Sequence, residues 1–114
     1  MNRGEIYQVD LGKTVGAEIF KTRPCVIISE MIANTYGKLI IIAPITSYKG
    51  KKLFPCDVLI KSSETGLPED SIVKCNQIRT VDKIRLIKKM GEISELRMKD
   101  VDIALMFSLD LDYS

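Results

Sequence analysis

The chain has 114 residues, 46% apolar and 28% charged, with 17 Lys and Arg against 15 Asp and Glu for a formal net charge of +2. That balance excludes intrinsic disorder and fits a single domain, residues 1–114, with one modest core. So small a net charge does not specify a nucleic-acid partner, and any basic surface has to be local.

The opening Met1-Asn2-Arg3-Gly4-Glu5 has neither an apolar core nor a small-residue cleavage site, so no secretory signal is expected. Glu5 to Leu11 is predicted as a half-buried strand with Tyr7, Val9 and Leu11 on one face. Gly12 to Glu18 follows as a loop with two glycines. It leads to Lys21-Thr22-Arg23-Pro24-Cys25-Val26-Ile27-Ile28, the stretch around which the chain is organised. Cys25 to Ile28 reads as a buried strand, because β-branched side chains pack well on a pleated surface. Pro24 lacks a ladder donor and belongs at the strand's start, where it biases Arg23 toward extended backbone. A guanidinium held at the mouth of a rigid strand is either a surface ion-pair partner or a functional charge.

Glu30 to Lys38 is predicted as a second connection. Leu39-Ile40-Ile41-Ile42-Ala43 is the strongest strand signal, and it stops at Pro44-Ile45-Thr46-Ser47, where hydroxyls appear. The longest apolar run, Leu39 to Ile45, falls well short of the ~18 residues of a membrane span, so a soluble, cytoplasmic protein with no membrane partner is expected. Tyr48 to Lys52 is an exposed basic loop, Phe54 to Ile60 another strand, and Glu64 to Pro68 a turn. Ser71 to Ile78 is a further strand, and Arg79 to Lys83 leads through a turn or helical piece to a last strand near Ile87 to Ile93. Ser94 is a predicted N-cap, with Glu95 at the positive end of a helix. Leu96, Val101, Ala104, Leu105, Ser108 and Leu109 trace its buried stripe. Many short strands followed by one helix favour a mainly β protein with a C-terminal helix, a small barrel closed or plugged by that helix.

The absence of histidine removes the commonest general acid–base group and the Ser-His-Asp and Cys-His arrangements. Cys25, Cys56 and Cys75 form no C-x-x-C pair, so reduced, packed thiols are expected and no metal site. No phosphate-loop or dinucleotide fingerprint occurs. Glu18, Arg23, Thr46, Ser47, Asn76, Gln77 and Arg79 remain as polar groups at strand ends. An arginine fork with hydroxyls and amides nearby suits a phosphate diester.

Several segments, in order and spacing, carry a resemblance: Arg3-Gly4-Glu5-Ile6-Tyr7, Arg23-Pro24 with its Val/Ile run, Ala43-Pro44-Ile45-Thr46-Ser47, Gly66-Leu67, Asp70-Ser71-Ile72-Val73 and Asn76-Gln77-Ile78-Arg79-Thr80-Val81-Asp82-Lys83. With these the chain resembles the MazF/PemK toxin family, endoribonucleases of bacterial type II toxin–antitoxin systems. The resemblance implies an SH3-like β-barrel of the MazF/PemK/CcdB kind and a homodimer. It implies sequence-specific, metal-independent and cofactor-free cleavage of single-stranded RNA by 2′-hydroxyl attack, leaving 2′,3′-cyclic phosphate and 5′-hydroxyl ends. The family's catalytic arginine falls on Arg23 and its catalytic threonine on Thr46, with Glu18 and Gln77 at positions that meet the substrate. Ser47, Asn76 and Lys49 are expected beside them as RNA contacts. The implied partner is an acidic antitoxin of the MazE/PemI kind, through which alone operator DNA would be bound.

Each residue also has a plainer reading. Thr46 can cap a strand end, Gln77 can satisfy backbone groups, Glu18 can be a solvated loop carboxylate, and Arg79 with Asp82 can form a turn network. The loop Gly16-Ala17-Glu18-Ile19-Phe20-Lys21 is bulkier than in many relatives, and Asn76 stands where they often carry an acid. Competing functions are a non-catalytic module of the same fold acting on a protein, like the gyrase-poisoning toxins, and an inactive RNA-binding barrel. The Arg23–Thr46 pair favours the nuclease.

Overall fold

A computed structural model describes residues 2–13, 15–19 and 21–112. Seven strands are followed by one long helix: β1 (Glu5–Asp10), β2 (Thr22–Ile27), β3 (Leu39–Ser47), β4 (Asp57–Ile60), β5 (Ser71–Lys74), β6 (Arg79–Asp82), β7 (Leu86–Glu92) and α3 (Glu95–Leu109). Two short helices, α1 (Met31–Tyr36) and α2 (Ser62–Thr65), lie between strands. The sheet runs β4-β5-β3-β2-β1-β7, with β6 also on β3. All pairings are antiparallel. The mainly β architecture with its C-terminal helix is as expected, but the sheet is an open path whose ends, β4 and β7, do not pair among the described residues.

The central strands are buried on both faces, which is why they read as continuous apolar runs rather than alternating ones. Val26, Ala43 and Ile45 belong to a core with Val58, Ile60 and Val73, covered by Met98, Val101 and Ala104 of α3. Cys25, Ile27, Ile40 and Ile42 point the other way into a second core with Val9, Leu11 and Val81. Tyr7 packs on that second core, so the expected Tyr7–Val9–Leu11 face is real. Ile6, fully buried, joins the first core instead.

The departures have identifiable causes. The connection over residues 30–38 contains α1, capped by the Glu30 carboxylate on the Ile32 N–H. It is pinned by buried Asn34, whose amide donates to the Ser29 carbonyl at 2.8 Å. β3 does not stop at Ala43. It runs on to Ser47 by changing neighbours, from β6 along Leu39–Ile42 to β5 along Ile45–Ser47. Opposite this change the expected strand Ser71 to Ile78 breaks at Lys74, and Arg79 to Asp82 is a strand rather than a turn. Val73 pairs with Ile45 and Arg79 with Ile42, so the six-residue step on one side faces three on the other and the excess bulges out. The strand expected from Phe54 starts only at Asp57.

Ser94 caps α3 as expected, its hydroxyl accepting from the Arg97 N–H at 3.2 Å. Of the predicted stripe, Val101 and Ala104 are buried and Leu105 packs against the core, but Leu96 is 72% exposed and Leu109 is exposed too, and Met98, outside the stripe, is buried in their place. Five residues back from Val101 is about 140° around an α-helix, whereas three residues back, at Met98, returns to the same side.

Candidate active site

Arg23 and Thr46 come from neighbouring strands. The β2–β3 ladder pairs Cys25 with Pro44 and Val26 with Ala43, and continuing that register sets Arg23 opposite Thr46. On its other side Thr46 pairs with Ile72 of β5. Both line one cavity of about 420 Å³, together with Ser47, Lys49, Lys51, Lys52, Phe54, Asp57 and Lys74. A smaller depression of about 150 Å³ shares Arg23, Thr46 and Ser47 with it and adds Pro24, Glu69 and Met90. Arg23 and Thr46 therefore border both depressions.

The charges lining the larger cavity are unequal. Arg23, Lys49, Lys51, Lys52 and Lys74 face one carboxylate, Asp57, and Asp57 is committed elsewhere. Its Oδ1 accepts from Lys74 Nζ at 2.7 Å and its Oδ2 from the Phe54 N–H at 3.0 Å. Burial alone would raise its pKa, but the hydrogen bonds from Lys74 and the Phe54 amide outweigh it and hold the carboxyl below its ordinary value. Ser47 donates its hydroxyl to Glu69. It is thus occupied by an acceptor of its own.

The other expected site residues gather apart. Glu18, Asn76 and Gln77 line a separate cavity of about 530 Å³ with Ala17, Ile19 and Arg79. It is built by the bulge between β5 and β6 and by the loop after β1. The neck of that loop is closed by Leu11 N–H to the Lys21 carbonyl at 2.8 Å and Lys21 N–H to the Gly12 carbonyl at 2.9 Å. Both Gly12 and Lys21 adopt positive φ there. Gln77 holds the loop down, its Oε1 accepting from the Ile19 N–H at 2.9 Å, so the plainer reading of this amide also holds. Arg79 pairs with Ile42, four residues along β3 from Thr46. An even offset keeps both on one face of the sheet, about 13 Å apart at strand rise.

Asp82 plays the expected turn role, its carboxylate accepting from the Ile84 N–H at 3.0 Å. Arg79 does not join it. One guanidinium nitrogen of Arg79 is buried without a hydrogen-bond partner among the described residues. Burial pushes the Cys25 and Cys75 thiols up to about 12, which keeps them protonated and inert at neutral pH. No group of three His, Cys, Asp or Glu among the described residues is placed to hold a metal.

Sequence reasoning missed Phe54, the Asp57–Lys74 pair and Glu69. Phe54 was absorbed into a strand signal. The Asp57–Lys74 contact follows from a cross-strand register that no local pattern announces.

Residues 2–109 match the family of PemK-like, MazF-like toxins of type II toxin–antitoxin systems. A curated relative, endoribonuclease MazF of Staphylococcus saprophyticus, is 40% identical over 111 residues, covering 97% of this chain and 92% of that protein. Among solved structures, an endoribonuclease in complex with its cognate antitoxin from a mycobacterial species superposes with a TM-score of 0.81 at 24% identity, covering 100% of this chain and 99% of that one. MazF of Deinococcus radiodurans superposes at 0.82 with 20% identity, each chain covered to 97%.

Proposed function

The chain belongs to the PemK-like, MazF-like toxins of type II toxin–antitoxin systems, and from that premise we propose that it is a sequence-specific endoribonuclease cutting single-stranded RNA without a metal ion. The observation that carries this reading is the placement of Arg23 opposite Thr46 in a cation-lined cavity. In the proposed reaction the ribose 2′-hydroxyl attacks the adjacent phosphorus, its proton passing to solvent water, and the P–O bond to the 5′-oxygen of the next nucleotide breaks, that oxygen taking up a proton as it leaves. The products are a 2′,3′-cyclic phosphate and a 5′-hydroxyl. Charge builds on the phosphoryl oxygens in the transition state. A guanidinium that stays protonated at neutral pH is suited to stabilise that charge and to protonate the leaving oxygen, not to act as a base. Thr46 donates its hydroxyl to the same phosphate.

Lys49 with its lysine neighbours attracts the RNA backbone, and Ser47, tied to Glu69, shapes the wall. Glu18, Asn76 and Gln77, set in the neighbouring cavity, meet a flanking nucleotide rather than the reacting phosphate. The working form is a cytoplasmic homodimer neutralised by an acidic antitoxin, with operator DNA bound only through that antitoxin. No helix among the described residues is long and apolar enough to cross a membrane, which fits that placement.

The test is incubation with a long natural RNA in EDTA, with end mapping by primer extension and analysis of the termini. Wild-type protein should leave cyclic phosphate ends at a recurring motif and spare duplex RNA. Arg23→Ala should lose at least ~100-fold in rate, the scale for one preorganised donor. Strict dependence on magnesium overturns the mechanism. Intact RNA with folded protein moves the assignment to a module that binds a protein target.

A further inference from the structure

We propose that Phe54 is a stacking platform for a nucleobase beside the phosphate site of Arg23 and Thr46, an inference that rests on the RNA-cleaving reading of that site. Phe54 is 58% exposed and lines the same cavity as Arg23, Thr46 and Lys49. A large aromatic ring left in water is not forced there by a loose loop, because its backbone is clamped. The Phe54 N–H donates to Asp57 Oδ2 at 3.0 Å, and its carbonyl accepts from the Asp57 N–H at 2.8 Å. Asp57 is in turn held by Lys74 at 2.7 Å, its carboxylate side chain only 3% exposed. A turn fixed from behind thus presents the ring toward the cavity. Preorganised presentation of this kind lowers the ordering cost of binding.

The surroundings select the ligand. Arg23, Lys49, Lys51, Lys52 and Lys74 face the ring's cavity, and the single carboxylate there is already paired with Lys74. An apolar ring among cations fits a ligand that is flat and aromatic in one part and anionic in the next, which is a nucleotide chain. An apolar protein segment would meet the ring but leave the lysines unanswered. Lys52 Nζ lies 5.9 Å from the ring centroid, at the outer limit of a cation–π contact, and is free to turn to a phosphate when a base arrives. Every base has a π-face, so such a platform adds affinity without choosing the base. The cleavage motif is therefore set elsewhere, and Phe54 grips whichever nucleotide flanks it.

The chain contains no tryptophan, so F54W introduces a single indole as a reporter. The probe is a single-stranded oligonucleotide with a 2′-O-methyl group at the cleaved position, compared with the same strand carrying one abasic site next to it. F54W should bind the intact strand with strong quenching of its fluorescence, and the abasic strand should abolish that quenching. F54A should weaken binding about 10-fold across different sequences, leave the mapped motif unchanged and keep the wild-type thermal midpoint. F54L, apolar but without a π-face, should remain as weak as F54A. Recovery by F54L overturns stacking in favour of plain apolar contact. Unquenched indole, or F54A binding within twofold of wild type while wild type still cleaves, overturns the proposal outright. If wild type neither binds nor cuts RNA, the functional reading falls first and this inference with it.

Discussion

At the scale of single residues, Asp57 ties together two parts of the site. It fixes the Phe54 turn through two backbone hydrogen bonds and neutralises Lys74. Because its folded-state pKa is lowered, its contribution to stability is fully present above the unfolded carboxyl pKa of about 3.9 and is lost as pH falls through the lower folded value. Asp57→Asn should therefore cost on the order of 1–3 kcal/mol at pH 7, the scale for leaving a polar partner unsatisfied. The variant's thermal midpoint should then fall less steeply than wild type below about pH 4. Parallel midpoint curves from pH 7 down to pH 2.5, followed by circular dichroism, would contradict this role. Arg23 and Thr46 were both legible as functional candidates from residue type and family resemblance, since each stands at the end of an apolar run. Phe54 and Asp57 were not, because what makes them part of the site is a turn closed by contacts of Asp57 across β4 and β5.

At the scale of elements, the β5–β6 bulge and the close approach of β7 to α2 decide how the sheet is shaped. Gly91 pairs with Ile6 on β1 while its other side faces the chain after α2. A Cβ there would sit 2.0 Å from the Thr65 carbonyl oxygen, so no rotamer change can relieve it and the backbone has to move. Gly91→Ala should destabilise by about 1–3 kcal/mol, the usual cost of overpacking. Urea denaturation should show a lower midpoint at unchanged slope. An unchanged midpoint would mean that β7 and α2 separate freely. Glycine's lack of a side chain is visible in any sequence. The carbonyl it must admit, 26 residues earlier in the chain, is not.

At the scale of the whole molecule, the outer side of α3 is left apolar. Ile103 and Phe107 are exposed there, as is Leu111 just beyond it, and together with Pro55 and Met106 they border a shallow cavity of about 340 Å³. Contiguous apolar surface of this kind marks an interaction site. A two-fold homodimer using strand-end loops and part of α3 is expected, detectable as twice the chain mass by light scattering at micromolar concentration. The acidic antitoxin should fold onto the groove that overlaps Arg23, its carboxylates standing in for phosphates, so added salt should weaken it. Uncleavable RNA and antitoxin peptide should exclude each other. Simultaneous binding of both, or a monomer at that concentration, would show the assembly to be otherwise.

The apolar strand segments Cys25 to Ile27 and Leu39 to Ala43 and the Ser94 cap were determined by the sequence itself, through the stiffness and capping chemistry of residues adjacent in the chain. Pro24 was not: β2 begins at Thr22, so Arg23 pairs with Val9 and Pro24 stands inside the strand opposite Gln8 rather than at its start, because the ladder with β1 extends past it. The helical face of α3 depended on its docking, and Met98 displaced Leu96 because the first core lies on Met98's side. The break of Ser71 to Ile78 into β5 and a bulge arose from pairing with β3, which local alternation does not encode. Residues of that bulge line the cavity of Glu18 and Gln77, which shares no residue with the cavity of Arg23 and Thr46. Only the tertiary structure decided this division, because cross-strand register sets which distant side chains share a cavity, and register is fixed by packing on both faces of the sheet at once.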